Sequence, residues 1–486
     1  MKHMKPYYIT TTLPYVNAKP HIGFALEIVQ ADILARHKRN EGREVFFNTG
    51  TDEHGLKIYQ KAQEEKMETQ AYTDKYAATF DNLKKALNLS YDNFIRTTDE
   101  SHKKAAQEFW RRCGKNGDIY KKNYKLKYCV GCELEKTDSE LEKGRCSIHP
   151  NLEVEVIEEE NYFFKFSKYQ EKLLALYNDK PEFVIPQFRL NEVKRFIENG
   201  LEDFSISRLK EKMPWGVSVP GDETQVMYVW FDALINYISA LGWPDEDGLF
   251  KTFWPGVQVA GKDNVRQQSA MWQAMLMSAG LAPSKQIFIH GFITSGGQKM
   301  SKSLGNVIDP FEIVEKYGTD AVRYFLARHI HPFEDSDVTT ERFKEAYNAD
   351  LANGIGNFIA RITTLGEKAG TIPEQKVELG IQKIVKEIKS EVFGKLCEYK
   401  FNEALESIQR LISYGDRYIN DHKVWAIKDE NAKKTKIYQV ATLARESAQL
   451  FEVFIPETAE KIRRCFEKGG KGIKITKTGI LFPRVE

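Results

Sequence analysis

Alternation between apolar runs and amphipathic stretches is the clearest feature of the first half of the chain. Residues 7–12 read YYITTT, a β-branched and aromatic run typical of a buried strand. A helical pattern begins at His21, where Ile22 and Leu26 start an apolar stripe, and it ends near residues 37–40. A strand followed by a turn and a helix N-terminus is the local geometry of a phosphate site in a doubly wound sheet.

Later segments continue this alternation until it stops. The pattern predicts strands at residues 45–49, 257–260 and 287–294, and a long helical region over roughly residues 56–89. After residue 326 the chain becomes helix-periodic and charged, as in a helical bundle. We therefore predict an α/β fold, in which a doubly wound parallel (Rossmann-type) nucleotide-binding domain is split by an insertion and followed by an α-helical bundle.

Composition narrows the class of protein. The chain has 486 residues, 42% hydrophobic and 29% charged, which is typical of a globular protein with several domains. Its net charge of +2 means that any RNA-binding surface must be a local basic patch. Runs of about eighteen apolar residues are absent from the sequence, and the N-terminus has no apolar signal region. We therefore expect a cytoplasmic protein without a membrane span.

A glycine-flanked polar loop at residues 296–306 reads GGQKMSKSLGN. Lys299 and Lys302 stand three apart, so their ammonium groups can surround one polyphosphate. Two such lysines alone would indicate a solvated surface loop. The sequence PHIG upstream favours a functional interpretation, because His21 can donate to a phosphate oxygen and Gly23 admits a ligand close to the backbone. The alternative for His21 is a helix cap.

Four soft ligands occur at metal-binding spacing in the middle of the chain. The pattern C-x2-C-x13-C-x2-H suits a closed, tetrahedral, structural zinc site, and its members are Cys129, Cys132, Cys146 and His149. In a reducing compartment, six cysteines favour metal binding or free thiols over disulfides. The alternative is a coincidence of four unrelated side chains.

These stretches resemble the paired signatures of class I aminoacyl-tRNA synthetases. The loop reads KMSKS in full, and the upstream element reads HIGF where that class has HIGH. Further segments are similar to the methionyl-tRNA synthetases, namely GTDEHG at residues 50–55, WFDALINY at 230–237 and the stretch at 342–357. Two positions depart from that family. Phe24 cannot donate to a phosphate, and Gln268 stands where a pocket histidine is expected.

The resemblance implies roles for individual residues. His21, Lys299 and Lys302 would be catalytic, stabilising charge on the phosphates. The implied ATP-binding residues are His21, Gly23, Glu27, Gly261, Asp263 and Lys302. The implied methionine-binding residues are Leu13, Tyr15, Asp52, Trp230, Ala233, Leu234, Tyr237 and Gln268. Asp52 would hold the amino group, and the aromatic residues would surround the thioether. Without the resemblance, that aromatic stripe would be read as ordinary core.

The same resemblance divides the chain into five parts. The Rossmann catalytic domain would comprise residues 1–117 and 226–325, on either side of a zinc-containing connective peptide at 118–225. That insertion is too small for the editing domain of leucyl-type enzymes. A stem-contact segment at 326–350 and an α-helical anticodon-binding domain at 351–486 would follow. Because the further C-terminal domain of some relatives is absent, we expect a monomer.

The implied activity is the ligation of L-methionine to tRNA(Met). ATP with Mg²⁺ would activate methionine as an adenylate, and the methionyl group would pass to the 3' adenosine of the tRNA, while Zn²⁺ would be structural. Asn402 would contact the anticodon, and its alternative is an ordinary exposed helix residue. Two rival interpretations stay open on the sequence alone: another class I synthetase, and a non-catalytic tRNA-binding paralogue.

Overall fold

The computed structural model describes residues 4–131, 134–136, 141–142, 144–300, 306–469, 472–477 and 479–485, with backbone alone at 124–126, 134–135, 157 and 299. The chain divides into two compact units. The first comprises Met1–Pro20, Glu41–Asn82 and Ser90–His290, and the second comprises His21–Asn40, Leu83–Leu89 and Gly291–Glu486. Each unit has sheets and helices of its own.

The strands and helices are numbered in chain order. The strands are β1 Tyr7–Thr11, β2 Val45–Thr51, β3 Asn93–Arg96, β4 Ile119–Cys129, β5 Leu134–Glu135, β6 Leu141–Glu142, β7 Arg145–Cys146, β8 Glu155–Phe164, β9 Val184–Ile185, β10 Phe204–Ser205, β11 Ser207–Leu209, β12 Ser218–Val219, β13 Asp222–Met227, β14 Val257–Gly261, β15 Gln286–His290, β16 Ile293–Ser295, β17 Gln298–Lys299, β18 Ser336–Asp337, β19 Thr371–Ile372, β20 Phe466–Gly469 and β21 Gly472–Ile475. The helices are α1 Ile22–Asn40, α2 Leu56–Glu64, α3 Thr69–Asp81, α4 Leu83–Ala86, α5 Glu100–Lys115, α6 Gln170–Asp179, α7 Gln187–Glu198, α8 Val229–Ala233, α9 Asn236–Ser239, α10 Gly248–Phe253, α11 Trp272–Ser278, α12 Pro310–Tyr317, α13 Thr319–Arg328, α14 Thr340–Ala346, α15 Asn357–Glu367, α16 Leu379–Cys397, α17 Phe401–Asp421, α18 Glu430–Phe451 and α19 Pro456–Cys465.

A six-stranded parallel sheet forms the centre of the first unit, in the order β3-β2-β1-β14-β15-β9. β1 and β14 are buried along their whole lengths, as expected for apolar or β-branched runs without alternation. β1 lies between β2 and β14, so the strand order reverses there, and ligands bind at such a switch point in sheets of this class. The predicted doubly wound, Rossmann-type fold is confirmed.

An insertion of mainly antiparallel strands separates β3 from β14 in the chain. β4 pairs with β8 along nearly its whole length, and β11, β13 and β12 form a second small sheet. One strand differs from the prediction, because β9 falls within the connective peptide yet pairs with β15 at the edge of the main sheet. Its two residues end directly before Pro186, so this strand is too short for periodicity to reveal.

The helical region predicted over residues 56–89 is wrong as a single segment. α2 ends at Glu64, and the chain then turns through Lys66, whose φ is 54°. α3 starts afresh because the Glu68 carboxylate accepts a hydrogen bond from the Ala71 amide at 2.9 Å. The turn at Lys66 and the cap at Glu68 set the end of α2 and the start of α3. The spacing of apolar residues does not indicate either boundary.

A small sheet in the order β17-β16-β18 carries the start of the lysine loop in the second unit. The strand predicted over residues 287–294 is wrong as one element, because β15 ends at His290 and β16 begins in this separate sheet. Gly291 lies at the break. A Cβ there would lie 2.2 Å from the Glu334 backbone, so only glycine permits the close passage of the two segments.

Helices α13–α19 form most of the remaining second unit, in agreement with the predicted helical C-terminal part. A three-stranded antiparallel sheet, β19-β21-β20, accompanies them and was not predicted. Arg323 on α13 is fully buried, pairs with Asp32 of α1 at 2.8 Å and donates to the carbonyls of Val453 and Phe454. Within the described ranges, we find no helix whose length and apolar content would let it cross a bilayer.

Candidate active site and metal site

Asp52 lies directly after β2, at the carboxyl end of a strand of the main sheet. It is only 3% exposed, and its backbone is tied to the segment after β1. The Asp52 N–H donates to the Pro14 carbonyl at 2.9 Å, and the Asp52 carbonyl accepts from the Val16 amide at 3.2 Å. These bonds hold Leu13 and Tyr15, two predicted methionine-binding residues, in fixed register beside Asp52.

The next residue of this loop, Glu53, is a buried anchor. Its carboxylate accepts two hydrogen bonds from Arg96, at 2.7 and 2.8 Å, and two more from the hydroxyls of Thr51 and Thr98. The Thr97 hydroxyl accepts from the Glu53 amide at 2.9 Å. A bidentate guanidinium and two hydroxyls leave the carboxylate well satisfied, which fixes the position of the loop.

His54 continues the loop into a buried network that the sequence did not predict. Its Nδ1 lies 2.6 Å from Asp232 Oδ2, and His102 Nε2 lies 2.9 Å from Asp232 Oδ1. An ionised carboxylate only accepts, so both imidazole nitrogens carry hydrogen and donate. Burial alone would raise the pKa of Asp232, but the two histidines outweigh it and hold that pKa at about 2. Ser239 Oγ lies 2.9 Å from the other ring nitrogen of His102.

The predicted thioether pocket lies on α8, α9 and the turn between them. Trp230 and Tyr15 meet edge to face with ring centroids 6.4 Å apart. Ala233, Leu234 and Tyr237 are buried, and the latter two belong to the continuous core of the first unit. Those residues therefore serve as core whatever else they contact.

Gln268 is buried beside Tyr237 and replaces the histidine expected by resemblance. Its side-chain amide donates to the Tyr237 hydroxyl at 2.5 Å. The Tyr237 hydroxyl thus has its oxygen engaged as an acceptor, and its own hydrogen is directed elsewhere. A polar contact at this position persists in this chain, carried by a neutral amide in place of an imidazole.

Gly261 is the last residue of β14, the strand next to β1, and Asp263 lies just beyond its carboxyl end. A Cβ at Gly261 would lie 2.8 Å from Asp263 Oδ1, so the carboxylate folds back over the glycine backbone. His290, at the end of β15, is paired in register with Gly261. An exposed carboxylate at this edge suits a ribose diol, since it can accept from both hydroxyls.

In the second unit, His21 directly precedes α1, and Gly23 lies in the first turn of that helix. The Gly23 amide donates to His21 Nδ1 at 3.1 Å, and the Ile22 amide donates to the Ile308 carbonyl at 3.0 Å. A Cβ at Gly23 would lie 3.7 Å from Met300 Cε. The HIGF turn and Met300 of the lysine loop are therefore neighbours within this unit.

Other predicted phosphate-site residues are placed as follows. Glu27, one turn into α1, is 5% exposed, and Phe24 is half-buried. Lys299 closes β17, but only its backbone is described, and Lys302 lies outside the described residues.

The two glycines before the lysines form a tight hairpin turn between β16 and β17. Gly296 and Gly297 have φ of 62° and 73°, which suit the type I′ turn of a two-residue hairpin loop. Residues other than glycine rarely adopt such positive φ values. Asp337 holds the turn, because its Oδ1 accepts from the Gly297 amide and from the Thr294 hydroxyl, each at 2.8 Å. These two hydrogen bonds, from Gly297 first, lower the pKa of Asp337.

Three of the four predicted zinc ligands come together. The ligand atoms of Cys129, Cys146 and His149 all lie within 4.8 Å of one another, with Cys129 Sγ 3.8 Å from His149 Nδ1. A Cβ at Gly131 would lie 2.6 Å from the His149 ring, so the turn needs glycine. Two thiols and an imidazole at this spacing fit a tetrahedral zinc ion with one further ligand. The fourth predicted ligand, Cys132, lies outside the described residues.

Asn402 lies in the first turn of α17, half-buried. Glu406, one turn on, lies 3.9 Å from Arg328, and Arg410 is paired with Glu391. A contact between Arg410 and an anticodon base would therefore have to compete with the Glu391 carboxylate. Trp425 is 53% exposed, and an exposed aromatic ring can stack on an RNA base. It follows the far end of α17, however, about 30 Å from Asn402 at 1.5 Å per residue, so it is too distant to act beside Asn402.

Comparison with known proteins gives consistent matches. The family described as tRNA synthetases class I (M) matches residues 7–147 and 132–363. A methionine–tRNA ligase of Thermotoga maritima is 42% identical over 98% of this chain and 78% of its own length. One from Rhizobium meliloti is 42% identical over 95% of this chain and 92% of its own. A solved structure, Mycobacterium tuberculosis methionyl-tRNA synthetase in complex with methionyl-adenylate, aligns with a TM-score of 0.95 at 36% identity, covering 99% of this chain and 100% of that one.

Proposed function

The chain belongs to the class I methionyl-tRNA synthetases, and from this premise we propose how its residues divide the reaction between them. As a member of this family it is a ligase that activates methionine with ATP and charges tRNA with the product.

Methionine binding is assigned to residues anchored around Asp52. The Asp52 carboxylate would pair with the ammonium group, supported by its position at the end of β2. The unbranched thioether would lie among aromatic and apolar side chains, which favour polarizable sulfur. These are Leu13, Tyr15, Trp230, Ala233, Leu234 and Tyr237, with Gln268 acting through the Tyr237 hydroxyl.

Activation is a displacement at the α-phosphorus of Mg–ATP, the substrate. A carboxylate oxygen of methionine bonds to that phosphorus, and the bond to the bridging oxygen of pyrophosphate breaks. Negative charge grows on the phosphates, where we assign His21, Lys299 and Lys302 as donors. Gly23 and Glu27 would support the same end of α1, and Gly261 and Asp263 would bind the ribose. Little proton transfer is required, so positioning and electrostatics carry the catalysis.

Transfer to tRNA(Met) completes the reaction. A hydroxyl of the 3' adenosine attacks the methionyl carbonyl, and AMP leaves. We assign residues 326–350 to the acceptor stem and the helical part at 351–486 to the anticodon, with Asn402 as a base contact. The proposal includes a monomeric protein acting in the cytoplasm, where reduced thiols are maintained.

Zn²⁺ is assigned to Cys129, Cys132, Cys146 and His149. The described three converge as soft ligands, which supports the assignment. The ion would cross-link the turns around Gly131 and His149 and so stabilise the connective peptide, without taking part in the reaction.

The observation that carries the proposal is the hydrogen bond between Ile22 and Ile308. It joins the turn that bears His21 to the segment that follows the lysines, which is what two signatures acting on one triphosphate require.

The direct test is aminoacylation of a tRNA(Met) transcript with labelled methionine. We expect charging of a transcript with the CAU anticodon and loss of at least about 100-fold in kcat/KM when that anticodon is changed, since each lost base contact costs about 1–3 kcal/mol. Efficient charging with another amino acid, or none at all, would contradict the proposal.

A further inference from the structure

His102 makes hydrogen bonds to both residues that bracket the thioether segment. Its Nε2 donates to Asp232 Oδ1 at 2.9 Å, and its Nδ1 lies 2.9 Å from Ser239 Oγ. The residues between these two attachment points are 233–238, which include three predicted methionine contacts. His102 is 0% exposed and lies on α5, outside every motif of the chain.

The same carboxylate also reaches the loop that carries Asp52. Asp232 Oδ2 accepts from His54 Nδ1 at 2.6 Å, two residues beyond Asp52. Trp215 secures this loop on both sides of His54, because its indole donates to the Glu53 carbonyl and its own carbonyl accepts from the Gly55 amide at 3.1 Å. One anionic group therefore connects the two chain segments assigned to the opposite ends of methionine.

We propose that His102 and His54, acting through Asp232, are positioning residues that set the length of the methionine pocket. The inference rests on the proposed function, in which Asp52 takes the ammonium group and Tyr237 faces the thioether. The imidazole–carboxylate–imidazole bridge is a strut between these ends, and it determines which side-chain length is accepted.

The energetics favour a positioning role over mere packing. A buried carboxylate is expensive to desolvate, and apolar side chains of similar volume usually stabilise a core as well or better. Charge-assisted hydrogen bonds are directional and short, so they fix a separation that apolar contacts would allow to vary. All the groups of the bridge are buried, which shields it from competing water.

Length discrimination is the property that such a strut controls. Ethionine is one methylene longer than methionine, and homocysteine lacks its terminal methyl group. Binding alone distinguishes substrates that differ by one methylene about 10- to 200-fold, and only if the pocket resists adjustment. Loosening either end of the bridge lets the pocket accommodate the wrong length, so this discrimination falls first.

The test measures amino-acid-dependent ATP–pyrophosphate exchange with methionine, ethionine and homocysteine. His102→Leu removes both hydrogen bonds, whereas Ser239→Ala removes one and preserves the fold. We expect the ratio of kcat/KM for methionine over ethionine to fall at least about fivefold in His102→Leu and about twofold in Ser239→Ala, with KM for ATP within about twofold of wild type. Leu173→Ala, a buried core truncation on α6 that makes none of these bonds, is the stability control.

The outcomes separate cleanly. Unchanged ratios in His102→Leu and Ser239→Ala, or an equal fall in Leu173→Ala, would overturn the inference while leaving the proposed function intact. If His102→Leu does not fold, Ser239→Ala alone decides. A wild-type protein without methionine-dependent exchange would overturn the proposed function itself, and this inference with it.

Discussion

The backbone N–H of Gly23 donates to Nδ1 of His21 over 3.1 Å. In the neutral imidazole, Nε2 therefore carries the hydrogen and is the donor that a phosphate role requires. A Cβ at Gly23 would lie 2.9 Å from the His21 ring, so glycine permits this folded-back geometry. The pair explains why histidine and glycine stand two residues apart in the HIGF turn.

The effect of a substitution at His21 on the exchange rate should depend on which ring nitrogen the new side chain replaces. Glutamine places its amide nitrogen near Nε2, whereas asparagine places it near Nδ1. We expect His21→Asn to lower the methionine-dependent exchange rate about 100- to 1,000-fold, the effect of losing one transition-state donor, and His21→Gln to lower it about tenfold. Methionine binding, followed by tryptophan fluorescence, should change little in both. Equal losses in the two variants would contradict the Nε2 assignment.

Asp232 should contribute stability that depends on pH in a definite direction. Its pKa of about 2 in the folded protein lies below the ordinary value for aspartate of about 4. A depressed pKa stabilises the fold above the ordinary value, and that stabilisation is lost as the pH falls through the folded value. Asp232→Asn should therefore lower the free energy of unfolding by about 2 kcal/mol at pH 7, and the gap should narrow from about pH 4 downward.

Urea unfolding of both proteins at a series of pH values measures this gap. Asp247→Asn is the matched control, because the Asp247 side chain is 83% exposed and its removal should change stability by less than about 0.5 kcal/mol at every pH. A gap between wild type and Asp232→Asn that does not vary with pH would show that the histidines do not stabilise the ionised carboxylate.

Zinc should be present at about one equivalent per chain in protein purified without chelators, measured by plasma mass spectrometry. Cys146→Ser should lower this to below about 0.2 equivalents and reduce the melting temperature, because the turns lose their cross-link. Cys465→Ser, whose thiol lies outside the cluster, should retain the metal. Full zinc content in Cys146→Ser would show that the three converging ligands do not hold the ion.

Asn402 should affect the binding of tRNA(Met) and not the earlier activation of methionine. Asn402→Ala is expected to raise KM for tRNA(Met) at least about tenfold, which corresponds to about 1.4 kcal/mol, while leaving pyrophosphate exchange unchanged. Ser413→Ala, an exposed change on the same helix, is the control. If both variants charge tRNA as the wild type does, Asn402 is an ordinary surface residue of α17.

Four strands of the main sheet, β1, β2, β14 and β15, could be predicted because they are short runs rich in apolar and β-branched residues, as β1 is. β3 was not predicted. The breaks between successive helices and strands could not be predicted from the sequence. The turn through Lys66 and the close passage at Gly291 depend on backbone conformation and on Glu334, which is far away in sequence. β9 is two residues long, so its place in the sheet is set by tertiary pairing alone.

The parts of the candidate site that lie in short sequence motifs could be predicted. The parts formed by residues that are far apart in the sequence could not. Cys129, Cys146 and His149 follow from spacing, and the structure brings them together. His102 has no local signal, since it is one histidine on an amphipathic, charged helix. Its importance emerges only when folding places it against Asp232, which is 130 residues away in the chain.

The most direct test of the central claim is ATP–pyrophosphate exchange measured with each of the twenty amino acids in turn. Methionine activation through the HIGF turn and the lysine loop predicts rapid exchange with methionine. The other nineteen should show kcat/KM values at least about 100-fold lower. Fast exchange with a different amino acid, or none with any of the twenty, would contradict the account.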